Sequence, residues 1–455
     1  MSSYLPPPVA GGGDENAALL TISINMLATL SDWLSWQENL HPNPIDLGLT
    51  RLNETLLRLE WRRPACPIIT VAGTNGKGSS VALLTRILQE AGYRVATFTS
   101  PHLLRYNERI CIGEVEISDA SLIAAFERID AARAGTTLTF FEFNALAALL
   151  VFETACPDVI VLEVGLGGRL DAVNAVDCDV ALVTSIALDH CDWLGSDVEV
   201  IGREKAGIFR AGRAAIFGSR DMPASIAAVA SEVGADLRRL GQDFEYRRVG
   251  DVWSWSGGPG LDNRRCDDLS LPALVGDVQL DNASAVLAVL MSLSARLPVD
   301  DAAIRRGLST VSLRGRFQTA TLNGVQWILD VAHNPAAAQT LASQLALPSD
   351  ARRTIAVCGI LGDKDVEGVA TAVRGSFDQW IVAGLPGPRA VPVDALAQRL
   401  GVAGVPVAGI AETISAACDT AAELAQSGDR IVVFGSFLTV AGAMEWLESR
   451  GLSIS

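Results

Sequence analysis

The chain has 455 residues, 49% hydrophobic and 19% charged, with a formal net charge of −16. Its length exceeds one ordinary core and predicts two domains, and its composition excludes a disordered chain. The negative field repels nucleic-acid phosphates but leaves room for small anionic ligands held by a local cluster of amides and cations.

Residues 1–15 are rich in Pro and Gly and read as a loose tail, with no basic segment leading into a long apolar core. "NMLATLSDWLSWQENL" then shows helical spacing. From about residue 67, short apolar runs alternate with helical patterns. "IITVAG", "RVATFTS", "VIVLEVG" and "ALVTSI" are continuously apolar, as buried strands of a mostly parallel sheet are. "SVALLTRILQEAGY" reads as a helix with Val81, Leu84, Ile87 and Leu88 inward, stopped by Gly92. "FNALAALLVF", the densest apolar segment, is too short to span a membrane. Residues 240–278 read as hairpin-like additions, "DNASAVLAVLMSLSARL" as a helix, and the stretch to Arg316 as a connector. A second alternating series follows, with "VQWILDVAHNP", "TIAVCGI", "QWIVAG" and "RIVVFGS" as its strands. The eight cysteines form no C-x-x-C pair and are expected as buried free thiols in a reducing, cytoplasmic compartment.

Open α/β sheets bind ligands at the carboxyl ends of their strands. Five apolar runs here end in polar loops: "GTNGKGSS", "TSPHLLRYNERI", "EVGLGGRLDAVN", "TSIALDHCDWLG" and "LDVAHNP". In the first, Gly73, Gly76 and Gly78 permit tight turns that aim amides at an anion, Lys77 adds charge, and Ser79 or Ser80 can reach a bound magnesium. The spelling departs from the common phosphate loop, because Gly78 stands between the lysine and Ser79. Glu163 ends an apolar strand, where a lone carboxylate is costly. It serves either as a magnesium ligand beside Ser100 or as a salt-bridge partner of Arg169 or Arg109. His190 is either a further ligand or a cap, since hard cations prefer oxygen. Lys205 in "GREKAGIFR" sits on a solvated helix, faces phosphate, or carries CO₂ as a carbamate.

Taken together, "GTNGKGS", "TSPHL", "DH.DWLG", "REKAGI", "GRFQ" and "DVAHNP" resemble the folylpolyglutamate synthase/dihydrofolate synthase family, among the Mur-type ATP-dependent ligases. The likeness covers nearly the whole chain and is nearest to the bacterial bifunctional members. In that family the lysine loop is spelled G-T-N-G-K-G-[ST]. The resemblance implies an α/β fold: a P-loop ATPase-like domain with a mostly parallel sheet over 16–311, a linker at 312–317, and a smaller Rossmann-like domain over 318–455. It implies that ATP and L-glutamate join to dihydropteroate or tetrahydrofolates through an acyl phosphate, in a monomer.

The residue roles follow by motif. Thr74, Asn75, Gly76, Lys77, Gly78 and Ser79 would hold ATP phosphates. Asn282, Arg316, Asp330 and His333 would contact the nucleotide. Ser100, Glu163 and His190 would ligate Mg²⁺ at two sites, with a monovalent cation besides. Lys205 would be carbamylated, and Lys77, Lys205 and His190 would serve catalysis. The pterin would lie against Leu47, Gly48, Leu49 and Thr50, against Thr139, Phe140, Phe141 and Glu142, and against Leu170, Asp171 and Ala172. Thr50 stands where relatives often carry an acid, and Leu438 where a histidine is expected. A cell-wall precursor ligase would need an extra N-terminal domain, and only about 65 residues precede the loop. The same loops would also serve a chain-extending synthase alone, a nucleotide-hydrolysing switch or a small-molecule kinase.

Overall fold

The computed structural model describes residues 27–452, so the expected tail over 1–15 lies outside the described residues. Eight strands form the first sheet: β1 (Ile68–Ala72), β2 (Val95–Phe98), β3 (Ile110–Ile112), β4 (Val115–Glu116), β5 (Val159–Glu163), β6 (Val180–Val183), β7 (Ala214–Phe217) and β8 (Asp236–Arg239). Their order is β4-β3-β2-β5-β1-β6-β7-β8. All neighbours from β2 to β8 pair in parallel, while β3 and β4 pair antiparallel at the edge. Both faces are covered, which explains the unbroken apolar runs. Ile69 and Val71 of β1 pack on one side with the helices Lys77–Glu90 and Val278–Ser292. Ile68 and Ala72 pack on the other with the helix Phe140–Ala155, buried from Glu142 to Phe152.

The chain leaves β1 toward one side of the sheet and later returns to place β6 on the other. The β1 loop therefore opens at the point where strand order reverses, the usual crevice for a ligand. A separate antiparallel sheet, β9 (Phe244–Val249), β10 (Val252–Gly257) and β11 (Arg265–Ser270), matches the expected hairpins. It seals the helix Val278–Ser292: Trp255 is 1% exposed and donates its indole N–H to Ser284 O at 3.1 Å.

The second sheet has the order β12-β13-β17-β14-β15-β16, with β12 (Gln318–Leu322), β13 (Val325–Leu329), β14 (Thr354–Cys358), β15 (Gln379–Ala383), β16 (Val407–Ala411) and β17 (Arg430–Phe434). It is parallel except for β12 at one edge.

Two readings need correction. The stretch before Arg316 is not a plain connector but contains a helix, Asp301–Thr310, capped by Asp300, whose carboxylate accepts Ala303 N–H at 2.7 Å. The cysteines are all free, yet only Cys178, Cys266, Cys358 and Cys418 are buried. Cys66 and Cys111 are half-buried, and Cys156 and Cys191 are exposed, because they fall in turns and a short surface helix.

Candidate active site

A cavity of about 770 Å³ opens where the carboxyl ends of β1, β2, β5 and β6 face those of β13, β14 and β17. Its floor is the phosphate loop. Gly73 (φ +145°) and Gly76 (φ +85°) hold conformations that L side chains rarely adopt. A Cβ on Gly73 would lie 1.9 Å from Thr184 Oγ1, and one on Gly76 would lie 2.5 Å from Asn282 Oδ1. Gly78 departs from the expectation: it sits inside the helix Lys77–Glu90, and a Cβ there would meet only Leu313 at 3.7 Å and Arg316 at 3.9 Å.

Hydrogen bonds fix the loop's shape. Thr74 N–H donates to Ser185 O at 2.8 Å, and Thr74 Oγ1 both donates to Ala187 O at 3.1 Å and accepts Ala187 N–H at 3.0 Å. Lys77 Nζ donates to Gly73 O at 3.1 Å, and Lys205 Nζ reaches the same oxygen from behind at 3.0 Å. Burial and the charge of Lys77 bring the Lys205 ammonium down to about 7. Lys205 is 5% exposed and does not line the cavity, so the picture of a solvated helix lysine fails. Ser79 lines the cavity, whereas Ser80 Oγ is buried without a hydrogen-bond partner among the described residues.

Glu163, Ser100 and His190 all line the cavity. Glu163 is 4% exposed and forms no ion pair among the described residues; Arg169 bonds Glu204 instead, and Arg109 bonds His102. Its one hydrogen bond comes from Ser100 N–H at 3.2 Å. Burial pushes its pKa up against the pull of Lys77. No three His, Cys, Asp or Glu side chains gather as a metal-holding group among the described residues. A hard cation here would draw on the Glu163 carboxylate, the Ser100 hydroxyl, phosphate oxygens and water, a donor set that fits magnesium. His190 sits in the left-handed region (φ +53°), and burial, with Lys364 nearby, lowers its pKa to about 4, so the ring is neutral.

The second domain supplies the facing wall. Asp330 accepts Phe317 N–H and Ala332 N–H, both at 2.8 Å, and lies beside the half-buried Arg316, which sits 5.5 Å over the Phe437 ring. His333 Nδ1 bonds Val331 O at 2.8 Å, and Asn282 donates to Gln279 Oε1 at 2.9 Å.

The remaining wall is an apolar shelf of Leu47, Gly48, Phe141, Leu170 and Ala172, interrupted by Thr139, Glu142 and Asp171. Thr139 and Glu142 bond each other as a capping box that starts the helix Phe140–Ala155, and Glu142 also pairs with Arg51 at 3.1 Å. Asp171 accepts Leu166 N–H at 2.8 Å and Val173 N–H at 3.0 Å, and burial pushes its pKa up to about 6. Three expected shelf residues stand apart. Leu49 and Thr50 begin the helix Thr50–Arg58, with Thr50 exposed, and Phe140 turns away to lie 5.7 Å under Arg109.

Sequence reasoning missed Asp189, Lys364 and Asn334. Asp189 accepts from Lys364 Nζ at 2.6 Å and from Asn334 Nδ2 at 3.1 Å, across the two domains. Burial alone would raise the Asp189 pKa, but His333 and Lys364 outweigh it and hold the carboxyl well below the usual range.

With that geometry in place, known proteins give the comparison. The Mur ligase middle domain matches residues 71–290, and the Mur ligase glutamate ligase domain matches residues 315–437. The dihydrofolate synthase/folylpolyglutamate synthase of Escherichia coli K12 is 44% identical over 92% of this chain and 96% of its own. The structure of E. coli FolC in complex with DHPP and ADP superposes with a TM-score of 0.87 at 44% identity, covering 93% of this chain and 99% of that one. A bifunctional folylpolyglutamate synthase/dihydrofolate synthase with Mn, AMPPNP and L-glutamate bound gives 0.84 at 43% identity, covering 92% and 98%. Among the described residues no helix is long and apolar enough to cross a membrane.

Proposed function

The chain belongs to the dihydrofolate synthase/folylpolyglutamate synthase family of Mur ligases, and from that premise we propose that it is an ATP-dependent ligase for both reactions. It joins L-glutamate to the carboxylate of 7,8-dihydropteroate, giving dihydrofolate, and extends tetrahydrofolates by further glutamates. One observation carries the reading: a single cavity is lined at once by a phosphate loop, an apolar shelf, and polar residues of a second domain.

In this mechanism the acceptor carboxylate attacks the γ-phosphorus of ATP, ADP leaves, and an acyl phosphate results. The amine of glutamate then attacks the acyl carbon, losing its proton to solvent, and inorganic phosphate departs. The loop Thr74 to Ser79, through those amides that the fold leaves free, and the Lys77 ammonium hold and neutralise the transferring phosphoryl group. Asn282, Arg316, Asp330 and His333 position the nucleotide. Leu47, Gly48, Phe141, Leu170, Asp171 and Ala172 hold the pterin. Magnesium would be held by Ser100 and Glu163, with His190 as the further ligand beside phosphate oxygens and water, and would supply charge neutralisation; a second magnesium site, a monovalent cation and a monomeric state belong to the same reading. Lys205, buried beside the loop with its pKa brought down to about 7, is set up to take CO₂ as a carbamate. Closure of the two domains excludes water that would hydrolyse the acyl phosphate.

Phosphate release from ATP and Mg²⁺, with product mass read in parallel, tests this on dihydropteroate and on tetrahydrofolate, with and without L-glutamate. Glutamate-dependent release with a glutamyl increment on both acceptors is expected. An increment on tetrahydrofolate alone reduces the protein to a chain-extending synthase. Release indifferent to glutamate and acceptor makes it a nucleotide-hydrolysing switch.

A further inference from the structure

Arg109 closes the turn Tyr106–Arg109 just before β3 and lines the cavity while only 8% exposed. It is clamped by ring faces, with Tyr106 at 5.8 Å and Phe140 at 5.7 Å. Its Nε–H donates to His102 Nδ1 at 2.8 Å, and among the described residues that is the one hydrogen bond its guanidinium makes. The two acids that act on it from nearby are engaged elsewhere. Glu108 accepts Leu103, Leu104 and Arg105 N–H, each at 2.8 Å, and Glu163 accepts Ser100 N–H. A buried guanidinium without a counter-ion is costly unless a ligand brings one.

His102 shares the arrangement. A guanidinium only donates, so His102 Nδ1 must accept, which places the ring proton on Nε2. That N–H has no partner among the described residues, and His102 also lines the cavity. The pair thus offers the cavity donors and no acceptor: the outer edge of a guanidinium fork and one imidazole N–H. The matching ligand group is planar and anionic, a carboxylate. Position agrees, because both side chains line the same cavity as Ser100 and Glu163 on the phosphate side and Phe141 of the shelf.

Resting on the ligase reading above, we propose that Arg109 and His102 receive the reacting carboxylate of the pterin-bearing acceptor and aim its oxygen at the phosphate loop. Arg109 takes the carboxylate by its terminal nitrogens, and His102 both fixes the guanidinium and adds a hydrogen bond from Nε2.

The test is calorimetric binding, with Mg²⁺ and a non-hydrolysable ATP analogue, of dihydropteroate and of its neutral carboxamide. The wild type should prefer the acid by roughly 30-fold or more, the worth of charge-assisted hydrogen bonds. Arg109→Gln should reduce that preference to below about threefold with nucleotide affinity kept, and Arg109→Lys, which keeps the charge without the fork, should fall between. His102→Asn, which keeps an acceptor for Arg109 but has no N–H at the position of Nε2, should cost roughly five- to tenfold for the acid alone. An undiminished preference in folded Arg109→Gln, or in Arg109→Lys should the former not fold, overturns the assignment. Loss of nucleotide affinity instead of acid preference also overturns it and gives the pair to a phosphate. A wild type that binds neither compound removes the ligase reading itself, a different failure from a wild type that binds the acid and variants that bind it equally well.

Discussion

The phosphate loop and the seam between the domains border the same cavity, yet they are held in opposite ways. The loop is fixed by bonds that each have a main-chain atom on at least one end, and by Gly73 and Gly76, which have no space for a Cβ. At the seam, side chain meets side chain: Lys364 on Asp189 at 2.6 Å, and Asn334 on Asn75 at 3.0 Å. Main-chain geometry leaves the loop one shape, whereas the seam's groups can exchange one another for water when the domains part. The cavity therefore has a rigid floor and a separable wall, as a site that must admit three substrates and then exclude water requires.

The largest effect should come from the floor. In Gly73→Ala the new methyl needs the space of Thr184 Oγ1. Phosphate release should fall by roughly a thousandfold, the order of loss when reacting groups are displaced by about 1 Å or more. Activity within tenfold of wild type would show that the loop is not the rigid element.

The seam should answer differently. Lys364→Ala leaves Asp189 without its cation, which in a closed protein would cost about 3–5 kcal/mol. Opening lets water reach Asp189 instead, so we expect a melting temperature lower by at most about 3 °C and an increased radius of gyration by small-angle scattering. A steep fall in melting temperature at unchanged radius would make the seam as rigid as the loop.

A smaller effect sharpens the picture of the loop's underside. Burial lowers the Lys205 ammonium to about 7. Only the neutral amine attacks CO₂, and its fraction rises as pH climbs through that value. A ¹³C carbamate signal from labelled bicarbonate should therefore be several-fold stronger at about pH 8 than at about pH 6. A signal independent of pH, or its persistence in Lys205→Arg, would contradict this.

Much of the site was legible because strand-end loops follow continuous apolar runs, and the same rule reaches one residue it was not applied to. "TIAVCGILGDKD" also ends a buried strand, so Lys364 carried the signal of the other five loops. Asp189 stood in one of those five loops, but nothing marked its role, because its partner lies 175 residues away and no spacing links them. The helix Asp301–Thr310 was hidden by Gly307, which lowers helix propensity but lets that helix close onto Ile87 of the helix Lys77–Glu90; a Cβ there would stand 2.5 Å from Ile87 Cγ1. The edge strands β12 and β16 are only partly buried and lack the apolar run that marks their neighbours. Phe140 and Phe141 were read as a pair, but adjacent residues of a helix point about 100° apart, and only Phe141 reaches the cavity.

The most direct test of the ligase chemistry follows oxygen. Dihydropteroate labelled with ¹⁸O in its carboxylate, turned over with ATP, Mg²⁺ and L-glutamate, should pass one labelled oxygen to the inorganic phosphate released, because the acyl phosphate breaks at its carbon–oxygen bond. Amide product accompanied by wholly unlabelled phosphate would contradict activation of the acceptor carboxylate at this site.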